Sequence, residues 1–209
     1  MTSKSPIAAL YVQSKGIYSD VPGVDPYDEK RDARTYQGPH PVIAHPPCAR
    51  FGKYWSGGPS GKVRYERPGM DGGLFEHALQ QVRRYGGVLE HPAGTLAWKM
   101  FGIAKPVGGI YSPWTPAGDG IGHTVEVEQG AYGHGAIKPT WLYAVGTDRP
   151  QIWHGDGTST HKWKGSPEDR VRGARGPNDA VELMGKKKRA ATPLEFRDML
   201  IGLARSVKR

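Results

Sequence analysis

Pro41-Val-Ile-Ala-His-Pro-Pro-Cys48 and Asp71-Gly-Gly-Leu-Phe-Glu-His-Ala-Leu-Gln-Gln-Val-Arg-Arg-Tyr-Gly-Gly-Val-Leu-Glu-His-Pro92 are the two stretches whose reading decides the fold. In the first, a short apolar run stops at two prolines, which can neither extend a strand nor enter a helix interior. In the second, Leu74, Phe75, Ala78, Leu79 and Val82 recur at helical spacing until Tyr85-Gly-Gly87 ends them, and Gly87-Val-Leu-Glu90 begins another apolar run. Strand, helix, strand predicts a parallel crossover unit with a carboxylate at the end of the second strand.

Outward from this unit, Ala8-Ala-Leu-Tyr-Val12 predicts a further buried strand. Thr124-Val-Glu-Val-Glu128 alternates with period two, and Trp141-Leu-Tyr-Ala-Val145 follows the turn Tyr132-Gly-His-Gly135, so the two predict a hairpin in the same sheet. Thr192-Pro-Leu-Glu195 has the form of a capping box, and Phe196, Met199, Leu200 and Leu203 behind it predict an amphipathic helix docked on the core. The expected fold class is α/β: a single Rossmann-like, open, mostly parallel sheet with a C-terminal helix. Residues 1–146 form the core, 147–190 an irregular basic insert, and 191–209 the terminal helix.

Among 209 residues there are 30 Gly, 18 Pro and one Cys, so a loop-rich globular protein without an internal disulfide is expected. No run approaches the roughly 20 apolar residues of a membrane span. The polar start Met1-Thr-Ser-Lys-Ser-Pro lacks the form of a secretory signal, so a reducing cytoplasm is the expected location. The net charge is +9, and residues 171–209 hold ten Lys/Arg against four Asp/Glu. Arg172, Arg175 and the run Lys186, Lys187, Lys188 and Arg189 suit a phosphate backbone and make DNA the expected partner; a solvated, solubilising tail is the competing reading.

Ligands of open α/β sheets bind at the carboxyl ends of the strands, where this sequence places Cys48 and Glu90. A positioned thiol and a carboxyl kept protonated by burial suit attack on a pyrimidine: the thiolate adds at C6 while the acid protonates N3. A buried, inert cysteine and a structural carboxylate are the plainer readings of the same residues. His40, His45, Cys48 and His91 also permit a zinc site. Trp98, Trp114 and Trp141 read as core or cavity wall, whereas Arg50, Lys53 and Trp55 follow the cysteine loop closely enough to meet nucleic acid.

Pro46-Pro47-Cys48 resembles the catalytic Pro-Cys loop of DNA cytosine-C5 methyltransferases, and Glu90-His91-Pro92 resembles their Glu-Asn-Val segment with His in place of Asn. Gln129-Gly-Ala-Tyr-Gly133 through Lys138 resembles, more distantly, the family's Tyr-Gly segment and the basic strand after it. The combination is similar to small phage-encoded methyltransferase-like proteins. The resemblance implies Cys48 as nucleophile and Glu90 as the acid at N3, with Pro47, Arg50, His91, His134 and Lys138 around the substrate. It implies S-adenosylmethionine as cofactor, with Asp25 as the ribose acid and Asp32 and Pro46 beside it. Two departures stand out. About eleven residues separate Val12 from Val24, too few for the family's Gly-rich turn and cofactor helix, and the insert replaces its large target-recognition domain. A catalytically inactive nucleic-acid-binding protein of the same fold and a pyrimidine-nucleotide-modifying enzyme therefore stand beside the DNA enzyme.

Overall fold

The computed structural model describes residues 5–52, 67–108, 113–153, 188 and 190–208. Its strands are β1 (Ile7–Leu10), β2 (Val24–Tyr27), β3 (Val42–Ala44), β4 (Gly87–Pro92), β5 (Thr115–Pro116), β6 (Gly122–Glu128) and β7 (Pro139–Val145). Its helices are α1 (Leu74–Tyr85), α2 (Leu96–Met100) and α3 (Leu194–Arg205). All seven strands form one mixed sheet in the order β2-β1-β3-β4-β7-β6-β5. The first four run parallel, while β7, β6 and β5 join antiparallel. The expectation of a mostly parallel sheet thus holds at one end, and the hairpin reverses the other.

Uninterrupted apolar runs form β1, β3 and the start of β4 because both faces of the sheet are covered. Ala8, Leu10, Val42, Ala44, Leu89 and Tyr143 face one core with Phe75, Ala78, Leu79 and Val82 of α1. Ile7, Ala9, Ile43, Val88, Leu142 and Ala144 face the other with Phe196, Leu200, Leu203 and Ala204 of α3. Each buried large side chain contributes roughly 1.5–3 kcal/mol through removal from water. Where β3 and β4 meet, Gly87 adopts φ 120°, and a Cβ there would stand 2.0 Å from the Val42 carbonyl oxygen, so only glycine permits this pairing.

Several local expectations change. Asp71 closes the start of α1 by accepting from the Phe75 and Gly73 amides, so the helix proper begins at Leu74. β1 ends at Leu10 and β4 continues to Pro92. The capping box before α3 does not form: Pro193 occupies the N-cap and supplies no side-chain hydrogen bond. Residues 147–153, assigned to the insert, pack back on the core, with Ile152 buried, the Asp148 amide donating to Ser206 Oγ and Trp114 Nε1 donating to the Pro150 carbonyl. Arg172, Arg175, Lys186, Lys187 and Arg189, and also Lys53 and Trp55, lie outside the described residues.

A buried-edge ion pair ties α1 to the antiparallel half. Arg83 Nη2 and the Tyr143 hydroxyl donate to Asp119 Oδ2 at 2.9 and 2.5 Å. Burial alone would raise the Asp119 pKa, but Tyr143, the Gly122 and Ile121 amides and Arg83 hold it down at about 2. A depressed carboxylate stabilises the fold above its unfolded pKa and loses that contribution as pH falls through the folded value. Urea unfolding should therefore show stability declining between pH 4 and pH 2, and Asp119→Asn should remove that part of the decline; an unchanged slope in the variant would contradict the assignment.

Candidate active site

Going from β1, the chain crosses to β2 on one side and later returns to β3 on the other, so a crevice opens at the carboxyl ends of β1 and β3. The cysteine loop leaves β3 there. His45 N–H still donates to the Leu10 carbonyl (3.1 Å), Pro46 is buried, and Pro47 and Cys48 are exposed. The loop closes as a turn, with Phe51 N–H donating to the Cys48 carbonyl (3.0 Å) and the Phe51 carbonyl accepting from Leu96 N–H (2.8 Å). The Phe51 ring is fully buried against Phe75, His91 and Phe101. Cys48 is thus held between two buried anchors. Arg50 lies within the turn, half-buried, and its carbonyl accepts from Gly69 N–H.

Ala44 pairs with Leu89, so the next residues along the two parallel strands, His45 and Glu90, are neighbours on the α3 side. His45 Nδ1–H donates to Glu90 Oε2 at 3.0 Å. On its other side, His45 Nε2 lies 2.9 Å from the hydroxyl of Tyr18, which comes from the loop after β1. Glu90 Oε1 faces Gln129 Nε2 at 3.4 Å, and the same amide donates to Thr140 Oγ1 at 2.9 Å. Desolvation pushes the Glu90 pKa up, but the His45 hydrogen bond and charge, followed by Lys138 and His91, outweigh it and hold the carboxyl below its ordinary value. This corrects the expectation that burial keeps Glu90 protonated: the site supplies a cationic partner, and the resting group is the carboxylate.

Cys48 answers to the same charges. Desolvation on its protein side raises the thiol pKa, the Glu90 carboxylate raises it further, and Lys138 lowers it. Burial lowers the Lys138 pKa while Glu90, Cys48 and Glu128 pull it back up. Its ammonium donates to the Ala191 carbonyl at 2.9 Å, drawing the chain before α3 to the site. Cys48, Glu90 and Lys138, far apart in sequence, are thus near enough to influence one another's ionisation.

Other expected residues do not join them. His91 alternates to the opposite face of β4, is 1% exposed, donates to or accepts from Thr95 Oγ1 at 2.7 Å and stacks on Trp98; burial pushes its pKa down to about 4. It is an aromatic-core residue. His134 is buried and engages the Ala136 backbone through Nδ1, bracing the 3-10 turn Gln129–Tyr132 before β7. With His45 committed to Glu90 and His91 on the other face, the zinc arrangement is not assembled, and among the described residues no group of three or more His, Cys, Asp or Glu could hold a metal.

The expected cofactor residues fare similarly. No helix follows β1 before β2. Asp25 sits inside the edge strand β2, paired with Arg31, whose guanidinium covers the Tyr27 ring. Asp32 caps the 3-10 turn Ala33–Thr35 and is committed to Arg34, whose hydrogen bond lowers its pKa to about 2. Asp28, which the sequence reading passed over, is the acid just beyond the carboxyl end of β2, and it accepts from Ser14 Oγ at 2.5 Å. Tyr18 was also missed, because nothing in its local sequence marks it, and Gln129 was quoted only as the start of a resembling segment, with no role of its own. The chain matches no known protein-family profile and no curated protein.

Proposed function

We propose that this chain is a DNA cytosine-C5 methyltransferase-like enzyme that modifies a pyrimidine, with Cys48 attacking C6 and Glu90 conveying a proton to N3. The observation that carries the reading is the convergence of an exposed, doubly anchored thiol with a carboxylate and an ammonium at the carboxyl ends of adjacent parallel strands. The crevice at the β1/β3 reversal, where Rossmann-like sheets bind ligands, supports it. In the addition step the thiolate pair forms the S–C6 bond. The C5=C6 π pair shifts toward C4, and the displaced C4=N3 pair takes a proton at N3, leaving C5 electron-rich.

Lys138 lies close enough to Cys48 and Glu90 to act on both, and so favours the thiolate and the carboxylate together. A base stacked in a duplex cannot reach this crevice, so the substrate is a flipped or single-stranded nucleotide. Arg172, Arg175 and the run from Lys186 to Arg189 supply phosphate contacts under this reading, and His134 braces the turn that carries Gln129. S-adenosylmethionine is the one-carbon donor that the resemblance implies, but Asp25 and Asp32 are tied up in ion pairs and no helix follows β1, so the residues expected to hold it do not fit that role. No step is assigned to it. The same feature favours a second reading, a nucleic-acid-binding protein of this fold without transfer activity.

Intact-mass analysis separates the two. DNA copied with 2-pyrimidinone in place of cytosine reports thiol addition alone, and DNA copied with 5-fluorocytosine plus S-adenosylmethionine reports transfer. An adduct that disappears in Cys48→Ala is expected with the first, in single-stranded DNA at least. DNA binding without any Cys48 adduct would leave the binding-protein reading in its place.

A further inference from the structure

The hydrogen-bonded chain that ends on Glu90 is more elaborate than a lone general acid requires. Tyr18, 3% exposed, meets His45 Nε2; His45 Nδ1–H meets Glu90 Oε2; Gln129 Nε2 reaches Glu90 Oε1 and Thr140 Oγ1; and Thr140 donates to the Lys138 carbonyl at 3.1 Å. Both carboxylate oxygens are thereby fixed. Gln129 is fully buried, and its amide oxygen has no hydrogen-bond partner among the described residues, so its orientation is set by Glu90 and Thr140 at the expense of its own acceptor. Tyr18, His45 and Thr140 lie outside the segments that resemble the methyltransferase loops, and Gln129 only opens the most distant of them. A buried carboxylate already ionised at rest has no proton to give, and the group touching it that can carry one is His45.

We propose that His45, backed by Tyr18, is a positioning residue that fixes Glu90 through Nδ1–H and transfers to it the proton that Glu90 hands to the pyrimidine. This rests on the pyrimidine reading above. The Nδ1–H bond of an imidazolium His45 breaks as a Glu90 O–H bond forms. That O–H bond breaks in turn as N3–H forms, in concert with S–C6 bond formation, and the carboxylate is regenerated. His45 is left neutral with Nε2–H directed at the Tyr18 oxygen, and takes a new proton from solvent. The charged and titratable groups that act on this pair are Tyr18 from the loop after β1, Cys48 from its own loop and Lys138 from before β7, with His91 acting on Glu90 from the opposite face of β4 and Arg197 and Asp198 of α3 acting on Tyr18.

Two measurements on the full chain test this. The first is imidazole NMR of His45 in the unaltered protein and in Glu90→Gln. The unaltered protein should show a downfield, exchange-protected Nδ1–H proton bonded to the carboxylate, and the variant should lose it or move it upfield. The absence of that proton in the unaltered protein would overturn the proposal. The second is the rate of 2-pyrimidinone adduct formation at saturating DNA across pH. His45→Gln keeps an N–H donor for Glu90 but cannot exchange a proton, so it should slow the step about 100-fold, flatten one limb of the pH profile and leave DNA affinity within about twofold. Tyr18→Phe, which preserves the buried ring and therefore the fold, should slow it by about 3- to 10-fold and displace the same limb.

If His45→Gln and Tyr18→Phe add as fast as the unaltered chain with the same profile, the relay is wrong while the pyrimidine reading stands. If the unaltered Cys48 adds to no analogue although the His45 Nδ1–H proton is bonded to Glu90, the pyrimidine reading fails and takes the relay with it.

Discussion

Glu90→Gln should move two rates at Cys48 in opposite directions. The thiol pKa is raised by desolvation and then by the Glu90 carboxylate, so a neutral amide of the same shape lowers it and enlarges the thiolate fraction near neutral pH. Alkylation by iodoacetamide, which needs only the thiolate, should speed up by about 3- to 10-fold. Addition to 2-pyrimidinone needs the thiolate and a proton at N3, and it should slow by about 10²- to 10⁴-fold, the usual worth of a positioned acid. Intact mass reads both reactions on one protein sample. A purely structural Glu90 would lower or preserve both rates together, and a rise in both would remove Glu90 from the chemistry.

The opposition of the two rates follows from one feature of the fold. Because β3 and β4 run parallel in the register Ala44 to Leu89, the residues that end the two apolar runs, His45 and Glu90, become lateral neighbours. That much was legible in the sequence: Val42-Ile-Ala-His45 and Gly87-Val-Leu-Glu90 align residue for residue once both are read as parallel strands with an intervening helix. The alternation that puts Glu90 in the site puts His91 out of it, since successive side chains of a strand point to opposite faces. Reading Glu90-His91-Pro92 as one functional segment overlooked this rule. The sign of the Glu90 shift was not legible for a related reason. Burial could be inferred from the flanking apolar residues, but the compensating His45 and Lys138 arrive from β3 and from the segment before β7, and only pairing across the sheet brings them in.

Other elements were hidden by brevity or by partners far along the chain. β5 has two residues and α2 five, too short for any periodicity to show. Tyr18 and Gln129 owe their places to contacts with residues 27 and 39 positions away. In the terminal helix the pattern of Phe196, Leu200 and Leu203 predicted the buried face correctly, but Pro193 took the N-cap that Thr192 was expected to fill, leaving Thr192-Pro-Leu-Glu195 without a reciprocal cap. An apolar stripe is enforced by the core it packs on, whereas a cap depends on one local torsion.

Neutralising the basic run by replacing Lys186, Lys187, Lys188 and Arg189 with glutamine should have the largest effect on nucleic-acid affinity. If these four cations contact phosphates, each releases condensed counterions on binding, and the logarithm of affinity for duplex DNA falls with the logarithm of salt concentration by about 0.9 per contact. Losing all four should make that slope shallower by about 3.6 and weaken binding on the order of 10³-fold at 0.1 M salt, with the two proteins converging as salt rises. Fluorescence anisotropy across a salt series measures both quantities. Adduct formation at saturating DNA should survive the change, because Glu90 stands on β4 and His45 and Cys48 on the loop that leaves β3, all far from the run in sequence. An unaltered slope would make the run a solvated surface and would shift the substrate toward a free nucleotide. In that case the same variant should react with 2-pyrimidinone nucleotide as fast as the unaltered chain, and the charges that bind substrate would have to be Arg50 and Lys138, beside the thiol itself.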